Sequence, residues 1–218
     1  MITLGLDPSL TGFGWCVHDS SELGSKRIIH SGVWETTTKT MWVERYVLLR
    51  ENIAKVLDRY LVVEAVGVES PIHGEAWSED AHALFLNVNE AIWSRRKDVV
   101  YFDPSSVKML AKGDNQARKG KMFKSDMVDA AKAETGIRLN HNAADAYHVA
   151  KSAARFWMLF KGQITEDDLL PAEKQAFTLI HTFTRGKRAG QTIKPGAIFK
   201  EGKRFFRFSQ DEPENPHD

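Results

Sequence analysis

Three acids stand at turning points of this 218-residue chain. Asp7 closes an apolar run that starts at Ile2, and Glu69 closes a second that starts at Val62. Asp145 lies in a stretch of small residues with helical character. Carboxylate oxygens are hard donors, and three of them in one pocket suit Mg²⁺ or Mn²⁺. Two such ions held by carboxylates can hydrolyse a phosphodiester. Without a cation the same cluster is costly, because crowded carboxylates repel one another. Each acid alone also has a simpler use. Asp7 can cap the turn that follows it, Glu69 can end a strand in water before Ser70-Pro71, and Asp145 can face solvent. Asn142, three residues before Asp145 and on the same helical face, reads on local sequence as an N-cap. Only the order of the surrounding elements can join them.

Ile2, Leu4 and Leu6 alternate with Thr3, Gly5 and Asp7, the period of a half-buried strand. Residues 8–12 are a turn, 13–17 return as a second strand, and 27–34 read as a third, giving a meander. Trp42, Tyr46, Leu49, Ile53, Val56 and Tyr60 recur at helical spacing and form one core-facing stripe. A buried strand over 62–69 follows, then a helix over 81–95 and a strand over 99–102. Asp103-Pro104 is a helix start, with Asp as N-cap and Pro at the first helical position. A loop rich in Gly, Lys and Arg spans 113–121, and a helix runs over 125–134 to a stop near Gly136. Residues 142–160 are the last core helix, striped by Ala146, Val149, Ala150, Ala153, Trp157 and Phe160. Ala143, Ala144 and Ala146 are small enough for its first turns to press on a sheet. The order βββ-α-β-α-β-α-α predicts an α/β fold: a mixed sheet with an antiparallel three-strand meander and flanking helices. In such sheets functional groups gather at strand ends, where Asp7 and Glu69 stand. The domain extends over 1–162. A C-terminal extension over 163–218 holds a short helix within 165–183, a basic hairpin over 198–206 and a disordered acidic end from Asp211.

Net charge is only +1, but it is unevenly spread. Between residues 104 and 124 lie six Lys or Arg against the single acid Asp114. Between 185 and 207 lie eight against the single acid Glu201, and the last eight residues hold four acids and no Lys or Arg. Both basic blocks suit a phosphate backbone. Lys112 beside the loop, and Arg118, Lys119 and Lys121 within it, suit tracking phosphates rather than reading bases. In the hairpin Lys203 and Arg204, with Arg207, alternate with Phe205, Phe206 and Phe208, a pattern that can grip DNA or merely pack an edge hairpin on the core. Cys16 is the only cysteine; it reads as buried strand filler and suits a reducing compartment. No run is long enough to span a membrane, and the first residues lack the basic flank of a secretory signal. A cytoplasmic protein with no membrane partner is expected.

LGLDPSLTGFGWCV at 4–17, VGVESP at 66–71 and NHNAADAYHVA at 140–150 resemble the acidic motifs of RuvC-type Holliday-junction resolvases. These are homodimeric nucleases of the RNase H-like superfamily. YFDPSSVK at 101–108 falls between the second and third motifs, and the resemblance covers about residues 1–160. It implies an RNase H-like sheet, with Asp7, Glu69 and Asp145 as metal carboxylates and catalytic groups. Asn142 falls where the family usually has a fourth acid and sometimes a His. It therefore joins the catalytic and metal set in preference to His141, contributes an oxygen without charge, and leaves one metal position weaker. Lys108 matches a lysine that faces phosphate. Lys124, in FKSDMV, matches a catalytic lysine near the scissile phosphate, although the long preceding loop lets the match slip to Lys121 or Lys119. Ile72, with His73 beside it, follows Glu69 where the family places a residue that wedges at the junction centre.

The resemblance thus implies an Mg²⁺- or Mn²⁺-dependent, structure-selective DNA endonuclease with two ions per site. A homodimer would nick a four-way junction in pairs, leaving 5′-phosphate and 3′-hydroxyl ends. A nuclease of forks or flaps, or a silent junction-binding protein permitted by Asn142, would use the same fold. The first motif also resembles the phosphate loop of actin-like or sugar-kinase ATPases, but the two large lobes and second Gly-rich motif of that class are missing from the sequence.

Overall fold

The computed structural model describes residues 1–69, 79–113 and 123–177, and the backbone of four short strands beyond them. Its elements are β1 (Ile2–Asp7), β2 (Gly12–Asp19), β3 (Ile28–Glu35), α1 (Trp42–Arg59), β4 (Ala65–Glu69), α2 (Glu79–Trp93), β5 (Asp98–Phe102), α3 (Pro104–Lys112), α4 (Lys124–Thr135), α5 (His141–Phe160) and α6 (Pro171–Phe177). A 3-10 turn at Gly24–Arg27, absent from the sequence reading, leads into β3.

The core sheet runs β3-β2-β1-β4-β5. β2 pairs antiparallel with both β1 and β3, as the meander requires. β4 joins β1 in parallel, and β5 joins β4 in parallel. Strand alternation then divides the side chains between two layers. Leu4, Leu6, Phe13, Trp15, Val17, Val66 and Val68 face α1 and α2, where they meet Leu49, Ile53, Val88 and Ile92. Ala65, Val100, Phe102 and Cys16 face the opposite way, toward α3, α4 and α5. Leu84 is buried in the first layer, and Trp93 is partly exposed at the end of α2.

α5 lies unusually close to the sheet because both surfaces lack bulk. A methyl group on Gly5 would sit 2.0 Å from the Ala146 carbonyl oxygen, and one on Gly14 would sit 2.0 Å from that of Asn142. One on Gly67 would stand 2.9 Å from the Ala153 methyl. Thr3, next to Gly5 along the same face, donates its hydroxyl to the Ala150 carbonyl at 2.9 Å. The alanines of α5 and the glycines of the sheet are two halves of one contact.

Helix ends follow local chemistry. Asp103 caps α3, accepting from the Ser105 and Ser106 amides at 3.0 Å each, with Pro104 at the first helical position. Gly136, at φ 73°, ends α4. The N-cap of α5 is Asn140, whose side chain accepts from the Asn142 amide at 3.0 Å. That corrects the reading of Asn142 as the cap: the cap stands two residues earlier, so the Asn142 side chain lies within the first turn.

α6 packs back on the core. Phe177 meets Phe102 and Phe156, and Glu173 pairs with Arg155 at 2.8 Å. Farther on, β6 (His181–Thr182) pairs with β7 (Thr192–Ile193). A hairpin of β8 (Ile198–Glu201) and β9 (Arg204–Arg207) adds to the sheet antiparallel to β5. No helix among the described residues is long and apolar enough to cross a membrane.

Candidate metal and nucleic-acid site

The parallel β1–β4 register pairs Leu6 with Val68, so Asp7 and Glu69 leave the sheet one residue later, side by side. Both follow the phase of Gly5 and Gly67 and therefore emerge on the α5 side. α5, held down by the glycines, brings Asp145 and Asn142 over those strand ends. The four residues line one cavity of about 260 Å³. Lys108 reaches it from the exposed side of α3, and Lys124 from the first position of α4.

The electrostatics carry the mark of crowded acids. Burial, reinforced by the charge of Asp145 and opposed by Lys124, raises the Asp7 carboxyl to about 7. Burial, then the charges of Asp7 and Asp145, raises Glu69 to about 8, against the pull of Lys108. Burial raises Asp145 too, while Lys124, His141 and Lys108 draw it back. In the protein alone Asp7 and Glu69 thus hold their protons to a higher pH than ordinary carboxyls do. A divalent cation would displace those protons, since it favours the charged form of every donor at once.

The donors fit such an ion in type: three carboxylates and one amide, all oxygen. Among the described residues, no three His, Cys, Asp or Glu side chains are already gathered tightly enough to hold a metal. Coordination would require these side chains, anchored on strand and helix ends, to rotate toward one another.

Asn142 has a second attachment. Its Nδ2 donates to the Gly12 carbonyl at 2.6 Å, tying the first turn of α5 to the start of β2. With the nitrogen committed, the amide oxygen is the end left to serve the cavity. His141 is not among the cavity-lining residues.

Three lining residues were not singled out from sequence: Ser9, Phe123 and Met127. Ser9 stands in the turn directly after Asp7. Met127 is held from behind, where its carbonyl accepts from His148 Nε2 at 3.0 Å. The strand glycines were also missed as positioning residues, although Gly5 and Gly67 each precede an acid by two positions, on the same strand face. Lys112 lies at the exposed end of α3, off the cavity. Ile72, His73, Arg118, Lys119, Lys121, Lys203 and the acidic end lie outside the described residues, and of Arg204 only the backbone, in β9, is described.

No family model matches the chain. Among curated proteins, the crossover junction endodeoxyribonuclease RuvC of Rickettsia rickettsii is 26% identical over 155 residues, covering 69% of this chain and 94% of the relative. Its counterpart from Rickettsia conorii is 25% identical over 154 residues, with the same coverage. Among solved structures, Thermus thermophilus RuvC superposes with a TM-score of 0.59 at 22% identity, over 73% of this chain and 97% of that one. The chain is RuvC-like in fold and in sequence. The same Thermus protein in complex with a Holliday junction substrate gives a TM-score of 0.60 at 21% identity. The matched part accounts for nearly the full length of these relatives and about 70% of this chain.

Proposed function

We propose that this chain is a divalent-metal-dependent endonuclease that resolves four-way DNA junctions by paired nicks. The observation that carries the reading is the convergence of Asp7, Glu69, Asp145 and Asn142 on one cavity flanked by Lys108 and Lys124, on a RuvC-like fold. Its relatives are named as crossover junction endonucleases, and one is solved with a Holliday junction.

Asp7, Glu69 and Asp145 would hold Mg²⁺ or Mn²⁺, with the Asn142 oxygen as a neutral donor; two ions per site is the expected count. A metal bound there supplies Lewis-acid activation of water and of the departing oxygen. Asp7, which feels the charges of Asp145 and Lys124 and itself acts on Glu69, would be the donor shared between ions. Lys124 and Lys108 offset the negative charge that builds on the phosphoryl group as water adds and the P–O3′ bond breaks. That bond order yields a 5′-phosphate and a 3′-hydroxyl. Lys112, Arg118, Lys119 and Lys121, with Lys203 and Arg204 from the tail, would hold flanking phosphates, and Ile72 would sit at the branch point. A two-fold dimer would set two such sites across the pseudo-symmetric junction. A cytoplasmic location belongs to the same proposal.

The neutral Asn142 favours a second reading, a junction-binding protein that does not cut. One experiment separates the two: labelled duplex, fork, flap and four-way DNA are incubated with the parent chain and with Asp7→Asn, in Mg²⁺ or Mn²⁺. The parent should nick the four-way substrate, and Asp7→Asn should bind it without nicking. Full metal-dependent cleavage by Asp7→Asn would end the nuclease assignment, and binding without cleavage by the parent would leave the silent reading.

A further inference from the structure

Phe123 is out of place by every local rule. It is the N-cap of α4, where Ser, Thr, Asp or Asn would accept from the exposed amides and Phe offers no acceptor. Asp126 supplies the local bond instead, accepting from the Phe123 amide at 2.8 Å. Nor does the ring serve the core, since the residue is 65% exposed. Yet it lines the same cavity as the acids and the two lysines, directly beside Lys124. Singly exposed apolar side chains are ordinary, but this ring lines a polar pocket, and there an aromatic face can serve a ligand.

Resting on the nuclease reading above, we propose that Phe123 is a stacking platform for an unpaired nucleobase adjacent to the phosphate that is cut. A ligand that places a phosphate among Lys108, Lys124 and the acids, and a flat apolar group one step away, is a nucleotide. Within duplex DNA both faces of each base are covered by their neighbours. At a branch point or a frayed step a face is free, and an aromatic ring is a sequence-tolerant receptor for it. Phe123 thereby gives this site a chemical basis for choosing branched over continuous DNA. The group recognised is one that a plain duplex does not present.

The test uses the full chain in the Asp7→Asn background with Mg²⁺, so that DNA is bound and not cut. Four-way junctions carry 2-aminopurine singly at each position flanking the nick mapped with the parent chain. Phe123 and Phe123→Trp should quench one of these positions, and Phe123→Leu should leave it bright. Phe123→Leu should weaken junction binding by about 5- to 150-fold, the range that one stacked base supplies, with duplex affinity unchanged and Phe123→Trp restoring the loss. Equal melting midpoints confirm that the variants fold, as expected for an exposed position. The inference is overturned if Phe123→Leu binds junctions as the parent does, if it loses duplex and junction affinity alike, or if no position is quenched. If the parent cuts and only these effects fail, the nuclease reading stands without the platform. If the parent neither cuts nor binds branched DNA, both fall together.

Discussion

Gly5→Ala puts the contact between sheet and helix under direct strain. The added methyl would sit 2.0 Å from the Ala146 carbonyl oxygen, 2.5 Å from the Ala150 amide nitrogen and 2.8 Å from the Ala150 methyl. Ordinary contact begins near 3.4 Å, so α5 must lift by about 1.4 Å or β1 must bend by as much. Two of the three obstacles are backbone, and no rotamer change relieves them. Overpacking of this kind costs roughly 1–3 kcal/mol, and the backbone clash argues for the upper end. For a chain of this length that lowers the melting midpoint by about 6–12 °C. The larger effect is on chemistry. Asp7 lies two residues along the strand from Gly5, and Asp145 directly precedes Ala146, so the lift separates the two acids. A displacement near 1 Å costs roughly 100-fold in rate where reacting groups must be held in place. Junction cleavage is measured well below the melting midpoint, beside Leu57→Ala, a buried change on the opposite layer that costs about 2–5 kcal/mol without touching the site. Gly5→Ala should be slow and Leu57→Ala near parental. A Gly5→Ala protein with parental midpoint and parental rate would refute the close approach. A destabilised but fully active one would show that the glycine serves packing alone.

Asn142→Leu, alike in branching but unable to donate to Gly12, should cost the ~1 kcal/mol of stability that one hydrogen bond supplies and speed amide exchange across residues 9–14; unchanged exchange there would show that the tether restrains nothing. Among the described residues no hydrogen-bond partner meets either ring nitrogen of buried His18, and burial lowers its pKa from 6.5 to about 4. The folded state thus prefers the neutral ring: its contribution is full above pH 6.5 and fades as pH falls toward 4. At pH 5 the loss is about 2 kcal/mol, which His18→Leu should remove, so the variant's midpoint should fall less than the parent's between pH 8 and pH 5; parallel curves would count against this. Asp7 and Glu69 run the other way in metal-free protein. Their raised values mean stability present at low pH and lost as pH climbs through about 7 and 8. Mg²⁺ competes with the same protons, so the thermal shift it induces should be larger at pH 8.5 than at pH 6 and smaller in Asp7→Asn. A larger shift at the lower pH would contradict metal binding by these carboxyls.

Much of the fold was legible because its signals are local. Period-two alternation marks β1, helical spacing marks α1, and Asp103-Pro104 and Gly136 mark helix ends through their own backbone preferences. Asn142 misled for the same reason: Asn140 and Asn142 are equally good caps in isolation, and only the direction of the chain into α5 selects Asn140. Phe123 escaped notice because nothing in FKSDMV shows that its ring stays in water. Gly5, Gly14 and Gly67 resemble ordinary strand glycines until the helix that needs their missing side chains is laid across them.

The acids, their strand ends and the small-residue helix are written in residue types, which need only their immediate neighbours to be read. That β1 and β4 are adjacent, in a register setting Asp7 beside Glu69, depends on pairing across about sixty intervening residues. The depth at which α5 lies depends on glycines and alanines from four separate elements meeting. Proton affinity follows from both, because burial and repulsion act through space, and a carboxyl that is ordinary along the chain keeps its proton to higher pH only when others are folded against it.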